Sequence, residues 1–326
     1  MIRFAARGES FPLAQVFTIS RGTKTSADVV VVELDCGGII GRGESVPYPR
    51  YGESVPDTLA KLAAIKPQIE AGLNRQQLQD LLPPGAARNA LDCALWDLEA
   101  KIAGHPVYKL VGLDAPQPVD TAFTLSLDTP QAMGQAAAQN AHRPLLKIKL
   151  AGTDDLDRVT AIRQNAPDSS LIVDANEGWS LDQVEPLSAA LADEGVALVE
   201  QPLPVGEDAL LAELAHPVPL CADESCHTAA DLDALAECYD CVNLKLDKTG
   251  GLTEGLKVAA RAKDLGLDLM VGCMVATSLA IAPAILLAAQ ARFIDLDGPL
   301  LLKQDRGNGL RYEGSSLHPP DPHLWG

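Results

Sequence analysis

The chain has 326 residues, 47% of them hydrophobic, and carries 44 acidic against 26 basic side chains, for a formal net charge of −18. That length accommodates a full (β/α)-barrel plus a smaller domain, and the acidity argues against nucleic acid or an anionic membrane as partner. No apolar run approaches the ~20 residues that cross a bilayer, and Met1-Ile2-Arg3-Phe4 lacks a signal-peptide pattern, so the expectation is a cytoplasmic protein.

The first 35 or so residues read as β-rich, with Asp28-Val29-Val30-Val31-Val32-Glu33-Leu34 the strongest strand and Gly37-Gly38 a turn. Phe17 to Lys24 reads as a polar loop, and Glu44 to Ser54, dense in Pro, Tyr and Gly, as a second one. From Ser54 to Gly104 the pattern becomes helical: Leu91, Leu95, Leu98 and Ile102 share one face, and Gly104 followed by Pro106 is a stop signal. Residues 1–115 are therefore expected to form an α+β capping domain, with a boundary between Gly112 and Pro118.

Beyond that boundary the chain alternates. Strands are expected near Thr121, Leu145, Leu171, Ala197, Pro219, Cys241, Asp268 and Arg292, with helical stretches such as Ser180 to Asp193 and Thr228 to Glu237 between them. Strand–helix alternation at this spacing means a parallel sheet, and eight strands close a barrel. The fold class is thus α/β, a modified TIM barrel over 116–305 whose last helix is irregular. The tail 306–326 is expected to return to the capping domain. Seven cysteines in no disulfide-like spacing suit a reducing compartment. Cys238-x-x-Cys241 runs into a strand, which favours packing over a redox or zinc role, and the six histidines form no metal-binding cluster.

The chemistry lies at strand ends. Leu145-Leu146-Lys147-Ile148-Lys149-Leu150 puts Lys147 and Lys149 on one face of a strand. The next three strands end in Asp174, Glu200 and Asp223, and the following one ends in Lys245. Each acid alone could cap a helix. Three in succession repel one another unless a cation sits between them, and all-oxygen ligands favour Mg²⁺. Lys149 precedes the trio by one strand and Lys245 follows it by one, so the two amines flank the cation from opposite sides. Burial, the cation and a second lysine (Lys147 beside Lys149, Lys248 near Lys245) can lower a lysine into the range of a working base. The arrangement suits removal of a proton α to a carboxylate and its return on the other face.

The order Lys147-x-Lys149, Asp174-x-Asn176, Glu200-Gln201-Pro202, Asp223-Glu224-Ser225 and Lys245-x-Asp247-Lys248-x-Gly250-Gly251 resembles the muconate-lactonizing subgroup of the enolase superfamily over essentially the whole chain. The resemblance implies Mg²⁺ on Asp174, Glu200 and Asp223, acid/base catalysis by Lys149 and Lys245, and supporting positions at Asn176, Ser225, Asp247 and Lys248. Asp295-x-Asp297 at the eighth strand looks like the pair with which dipeptide epimerases hold the substrate ammonium. Arg21 matches the arginine that L-Ala-D/L-Glu epimerases use for the glutamate side chain, a task its bidentate fork suits. Thr124, Lys147 and Ser225 are further candidates for substrate contact. The seventh strand departs from many relatives, with Ala276 where they carry a glutamate.

The resemblance implies a Mg²⁺-dependent epimerase of L-Ala-D/L-Glu type dipeptides, acting through an enediolate and taking part in recycling cell-wall peptides. A cycloisomerase, an o-succinylbenzoate synthase-type lyase and a non-catalytic ligand-binding barrel are the alternatives. The expected partner is a small dipeptide, and monomer and homo-oligomer are both open.

Overall fold

The computed structural model describes residues 2–326. Three antiparallel strands open the chain, β1 (Arg3–Ile19), β2 (Gly22–Cys36) and β3 (Ile39–Ser45), followed by helices α1 (Val55–Ala64), α2 (Lys66–Glu70), α3 (Arg75–Leu81) and α4 (Ala86–Ala103). The valine run in β2 does not alternate with polar residues because both of its faces are buried. Val30, Val32 and Leu34 pack against Leu62, Leu78, Leu91 and Leu95 of the helices, while Val29 and Val31 join the core shared with the barrel. Gly41 and Gly43 let α4 lie directly on β3: a Cβ at either would sit within 2.4 Å of the Ala94 or Ala90 carbonyl oxygen.

The Phe17–Lys24 stretch is not a loop. Phe17 pairs with Lys24, Thr18 with Thr23 and Ile19 with Gly22, which leaves only Ser20 and Arg21 as the turn. Its Phe, Thr and Ile residues favour a pleated pair, and this outweighs its polarity. The stretch therefore projects as a stiff hairpin.

A two-residue strand, β4 (Val119–Asp120), precedes eight parallel strands: β5 (Phe123–Leu125), β6 (Leu145–Lys149), β7 (Ser170–Asp174), β8 (Val196–Glu200), β9 (Leu220–Ala222), β10 (Cys241–Leu244), β11 (Asp268–Gly272) and β12 (Phe293–Asp295). They lie in sequential order, and Ala122 N–H donates to the Ile294 carbonyl at 2.8 Å, joining the first strand to the last. Inward-facing Ala122, Ile172, Leu198, Cys221, Cys241, Met270 and Phe293 fill the floor of the barrel. Two residues further along most of these strands, the inward positions turn polar, as the period of 2 demands.

Two connections carry less than a full helix, the second of them as expected from the sequence. Thr228 to Glu237 is helical over Ala229–Leu235 only: a 3-10 turn, Ala229–Asp231, runs directly into a short helix, Leu232–Leu235, with the Thr228–Asp231 capping box at its start. After β12 only the 3-10 turn Gly298–Leu301 forms. The chain then makes β13 (Tyr312–Glu313) and β14 (Ser316–Leu317), and β14 pairs with β4. It ends with Trp325 buried against α4, its indole N–H on the Cys93 carbonyl at 2.9 Å.

The seam between the N-terminal layer and the barrel is polar. Glu44 accepts from Thr277 N–H at 2.9 Å and from Arg306 at 2.6 Å, and Asp247 accepts from Val46 N–H and Asn89 Nδ2, both at 2.8 Å. Burial, abetted by Glu53 and Glu44, raises the Asp247 carboxyl to about 7 against the lowering effect of its two donors. A carboxyl raised in the folded state costs no stability below its unfolded pKa of about 3.9, and the penalty grows until pH passes the folded value. Asp247→Asn, which mimics the neutral acid, is therefore expected to raise the melting temperature at pH 8 and to leave it unchanged near pH 4. Thermal melts at the two pH values check this, and an equal offset at both would contradict it.

Candidate active site

The residues at the barrel mouth sit in register. Lys149 pairs with Asp174, Asp174 with Glu200, and Glu200 with Cys221, so Asp223 stands two residues past the end of that line. The three acids are buried, and their ligand oxygens lie within 4.8 Å of one another. Burial and the charges of Asp174 and Asp223 push the Glu200 carboxyl up to about 8. Burial works in the same direction on Asp174, but Lys149 and Lys147 override it and hold that carboxyl near 2. Three hard oxygens in one place suit Mg²⁺, which usually keeps further positions for water and substrate oxygens.

Four lysines surround the trio. Lys149 Nζ is 2.6 Å from Asp174 Oδ2 on one side, and Lys245 Nζ is 2.6 Å from Asp223 Oδ2 on the other. Lys147 lies below, 2.6 Å from Glu200 and 2.8 Å from Asp295. Lys248 contacts the Asp223 carboxylate at 2.5 Å, its backbone carbonyl, and the Asn243 carbonyl at 2.9 Å. Burial opposes charge on Lys147 and Lys245, yet Asp295 and Glu200 on the first and Asp223 and Glu200 on the second raise both amines well above the ordinary value.

The mouth opens into a cavity of about 450 Å³ roofed by the β1–β2 hairpin and the Tyr48–Tyr51 turn. Asp295 and Asp297 line the β12 side. Thr124 N–H donates to Asp297 Oδ2 at 2.7 Å, while burial and the neighbouring Asp295 raise the Asp297 carboxyl to about 7. Asp295 Oδ1 is buried with no hydrogen-bond partner.

The structure does not gather every sequence candidate around this cavity. Thr124, Lys147, Lys149, Asn176, Asp223, Lys245, Asp295 and Asp297 line it. Ser225 instead donates to Asp208 at 2.6 Å, Asp247 belongs to the seam with the N-terminal layer, and Lys248 is buried behind Asp223. Arg21 lines the cavity, but its guanidinium is engaged by the Asn176 carbonyl at 2.9 Å, Glu177 at 3.1 Å and Glu224 at 2.6 Å. Ala276 is fully buried outside the cavity wall.

Three further residues were not singled out from the sequence. Asn243 donates to Glu200 Oε1 at 2.7 Å, and Gly272 makes room for it, since a Cβ there would lie 2.5 Å from the Asn243 amide oxygen. The alternation Cys241, Asn243, Lys245 could have flagged it as inward-facing. Lys24 lines the cavity with its amine 4.4 Å from the centre of the Tyr48 ring. Glu224, next to Asp223, accepts from Asn176 Nδ2 at 3.3 Å as well as from Arg21.

Residues 2–112 match the family model of the mandelate racemase/muconate lactonizing enzyme N-terminal domain, and residues 131–322 match the enolase C-terminal domain-like model. The L-Ala-D/L-Glu epimerase of Escherichia coli K12 is 49% identical over 312 residues, covering 95% of this chain and 97% of that protein. The N-acetyl-D-glutamate racemase of a Pseudoalteromonas species is 46% identical over 300 residues, covering 91% and 95%. Among solved structures, an enolase family member from Agrobacterium tumefaciens with homology to dipeptide epimerases, bound to sodium and L-Ala-L-Glu with an ordered loop, superposes with a TM-score of 0.98 at 52% identity, each chain covered completely. Matched in both its domains and along nearly its whole length, this chain belongs to the mandelate racemase/muconate lactonizing enzyme family of the enolase superfamily.

Proposed function

We propose that this chain epimerises L-Ala-D/L-Glu type dipeptides at the α-carbon of the second residue, using Mg²⁺ and two lysines. The observation that carries the reading is the pair of amines on opposite sides of the acidic trio, Lys149 against Asp174 and Lys245 against Asp223. One lysine takes the α-proton from one face, and the other supplies a proton to the opposite face. Bound Mg²⁺ offsets the negative charge that develops on the substrate carboxylate as the proton leaves. Lys147 bridges Glu200 and Asp295, so it ties the cation site to the pair that receives the substrate's ammonium.

The same geometry supports a reassignment at the cap. Arg21 is engaged by Glu224, Glu177 and a backbone carbonyl and holds the hairpin onto the barrel, where Arg50 also grips Glu177 at 2.6 Å. Among the described residues no carboxylate lies within 4.0 Å of the Lys24 amine, which burial makes a weaker base. Lys24 is thus the cation on this wall available to the glutamate side-chain carboxylate. Asn176 steadies the trio, its N–H donating to Asp174 Oδ1 at 2.9 Å and its side-chain amide to Glu224 at 3.3 Å, and Thr124 fixes Asp297 through its N–H.

The pair Asp295 and Asp297 separates a dipeptide from an N-acylated glutamate, which carries no ammonium. A dipeptide of L-Ala and glutamate points to cell-wall peptide recycling, and seven unpaired cysteines suit the cytoplasm.

In D₂O with Mg²⁺ and L-Ala-L-Glu, deuterium is expected at the glutamate α-carbon together with the L,D epimer, followed by NMR. A folded, Mg²⁺-loaded protein that exchanges nothing would refute the proposal. Asp295→Asn should lower kcat/KM for the dipeptide and narrow its advantage over N-acetylglutamate. Lys24→Met should raise KM for L-Ala-L-Glu by about 10-fold or more, the worth of a charge-assisted hydrogen bond, and spare L-Ala-L-Leu. Arg21→Met should impair both substrates alike. The reverse pattern returns the side-chain carboxylate to Arg21.

A further inference from the structure

We infer that Gln201 is a positioning residue for the cation site, and that its side chain sets the separation of Glu200 and Asp223. The β-ladder breaks just beyond Glu200. β8 and β9 share only two registered pairs, Val199 with Leu220 and Glu200 with Cys221. Val199 N–H donates to the Pro219 carbonyl at 2.9 Å, and Gln201 N–H to the Cys221 carbonyl at 2.8 Å. Continued, a parallel ladder would bring Asp223 N–H to the main-chain carbonyl of Gln201.

That carbonyl is turned away. Gln201 has φ of 36°, in the left-handed region a side-chain-bearing residue rarely adopts, and its carbonyl accepts from Glu177 N–H at 2.9 Å instead. The side chain of the same residue takes its place: Oε1 accepts from Asp223 N–H at 2.9 Å and from Ser225 N–H at 3.2 Å. One residue therefore reaches all three ligand-bearing strand ends. Its carbonyl holds the loop after Asp174, it directly follows Glu200, and its amide oxygen holds Asp223.

The amide cannot rotate freely. Gln201 is fully buried, and Nε2 donates to the Leu203 carbonyl and Ser225 Oγ at 3.0 Å and to Tyr239 Oη at 3.1 Å. Asp208 closes this network, accepting from Ser225 at 2.6 Å and Tyr239 at 2.7 Å. Two N–H groups face Oε1, and the acceptors around Nε2, Asp208 Oδ1 at 3.3 Å among them, share its two hydrogens, so one end must accept and the other donate, as a glutamine amide does. A glutamate would bring a second carboxylate against Asp208, and an asparagine would fall short. Lys245 and Lys248 hold the Asp223 carboxylate, but among the described residues its amide has only Gln201. Releasing that amide orphans a buried donor and frees Asp223 to move away from its two partners.

This inference rests on the reading of Asp174, Glu200 and Asp223 as the Mg²⁺ site, so calorimetric titration of Mg²⁺ into the metal-free wild-type chain comes first. An absence of binding there would refute that reading itself. Given wild-type binding, Gln201→Met is expected to weaken Mg²⁺ by about 10- to 100-fold, the usual effect of losing a group that orients a metal ligand. Tyr239→Phe removes one partner of the amide without touching either strand and should weaken Mg²⁺ by about 2- to 10-fold. Circular dichroism and melting temperature report folding separately. A folded Gln201→Met chain with a lower melting temperature but wild-type Mg²⁺ affinity would overturn the inference. Should Gln201→Met not fold, an unchanged Mg²⁺ affinity in Tyr239→Phe would overturn it equally.

Discussion

Like charges buried together at a barrel mouth stay there only if opposite charges are built in among them. Asp174, Glu200 and Asp223 converge as buried side chains, and Lys147, Lys149, Lys245 and Lys248 each reach at least one of them. Most of the other features of the site answer to that concentration of charge. The floor beneath it is apolar and tightly filled, Asn243 steadies Glu200, and Gly272 yields the space Asn243 needs. The same acids raise the Lys147 and Lys245 amines well above the ordinary value, the opposite of the lowering expected from the sequence, and a bound divalent cation would compete with those amines for the carboxylates' charge.

The N-terminal layer gives the site its roof. Arg21 and Arg50 both reach Glu177, which lies three residues past Asp174, and Arg21 also reaches Glu224, one residue past Asp223. Cap and cation site are thus linked through neighbours in the chain, and a hairpin stiffened by cross-strand pairs up to Ile19 and Gly22 carries the link. Lys24 lies on the same hairpin with no carboxylate within 4.0 Å of its amine among the described residues. In that small stretch, one cation closes the site and the other stands over the Tyr48 ring at the cavity wall.

The barrel and the gathering of acids and lysines at its mouth were legible in the sequence because strand periodicity and charge coincide there. Lys147 and Lys149 alternate with Leu146 and Ile148, and four later runs end in an ionisable residue at the level where parallel strands meet solvent. What escaped was set by tertiary geometry. Nothing local distinguishes Arg21 from Lys24, since both sit in one polar stretch, and only the carboxylates of distant loops separate them. Polarity made that stretch look like a loop, whereas pairing between its own two halves made it a hairpin. Gln201 reads as one more polar residue after Glu200, and its part depends on a left-handed turn that no side-chain pattern announces. Ser225 and Asp247 lie within the motifs that carry the resemblance, yet the structure turns both toward scaffolding contacts.

The central claim is that Lys149 and Lys245 serve opposite faces of one carbon. It is tested most directly by following α-proton exchange from L-Ala-L-Glu and from L-Ala-D-Glu separately in D₂O, using Lys149→Ala and Lys245→Ala. Each variant should exchange the proton of one epimer only, the two should have opposite preferences, and neither should interconvert the epimers. A single-lysine variant that exchanges both epimers, or that still interconverts them, would contradict the account.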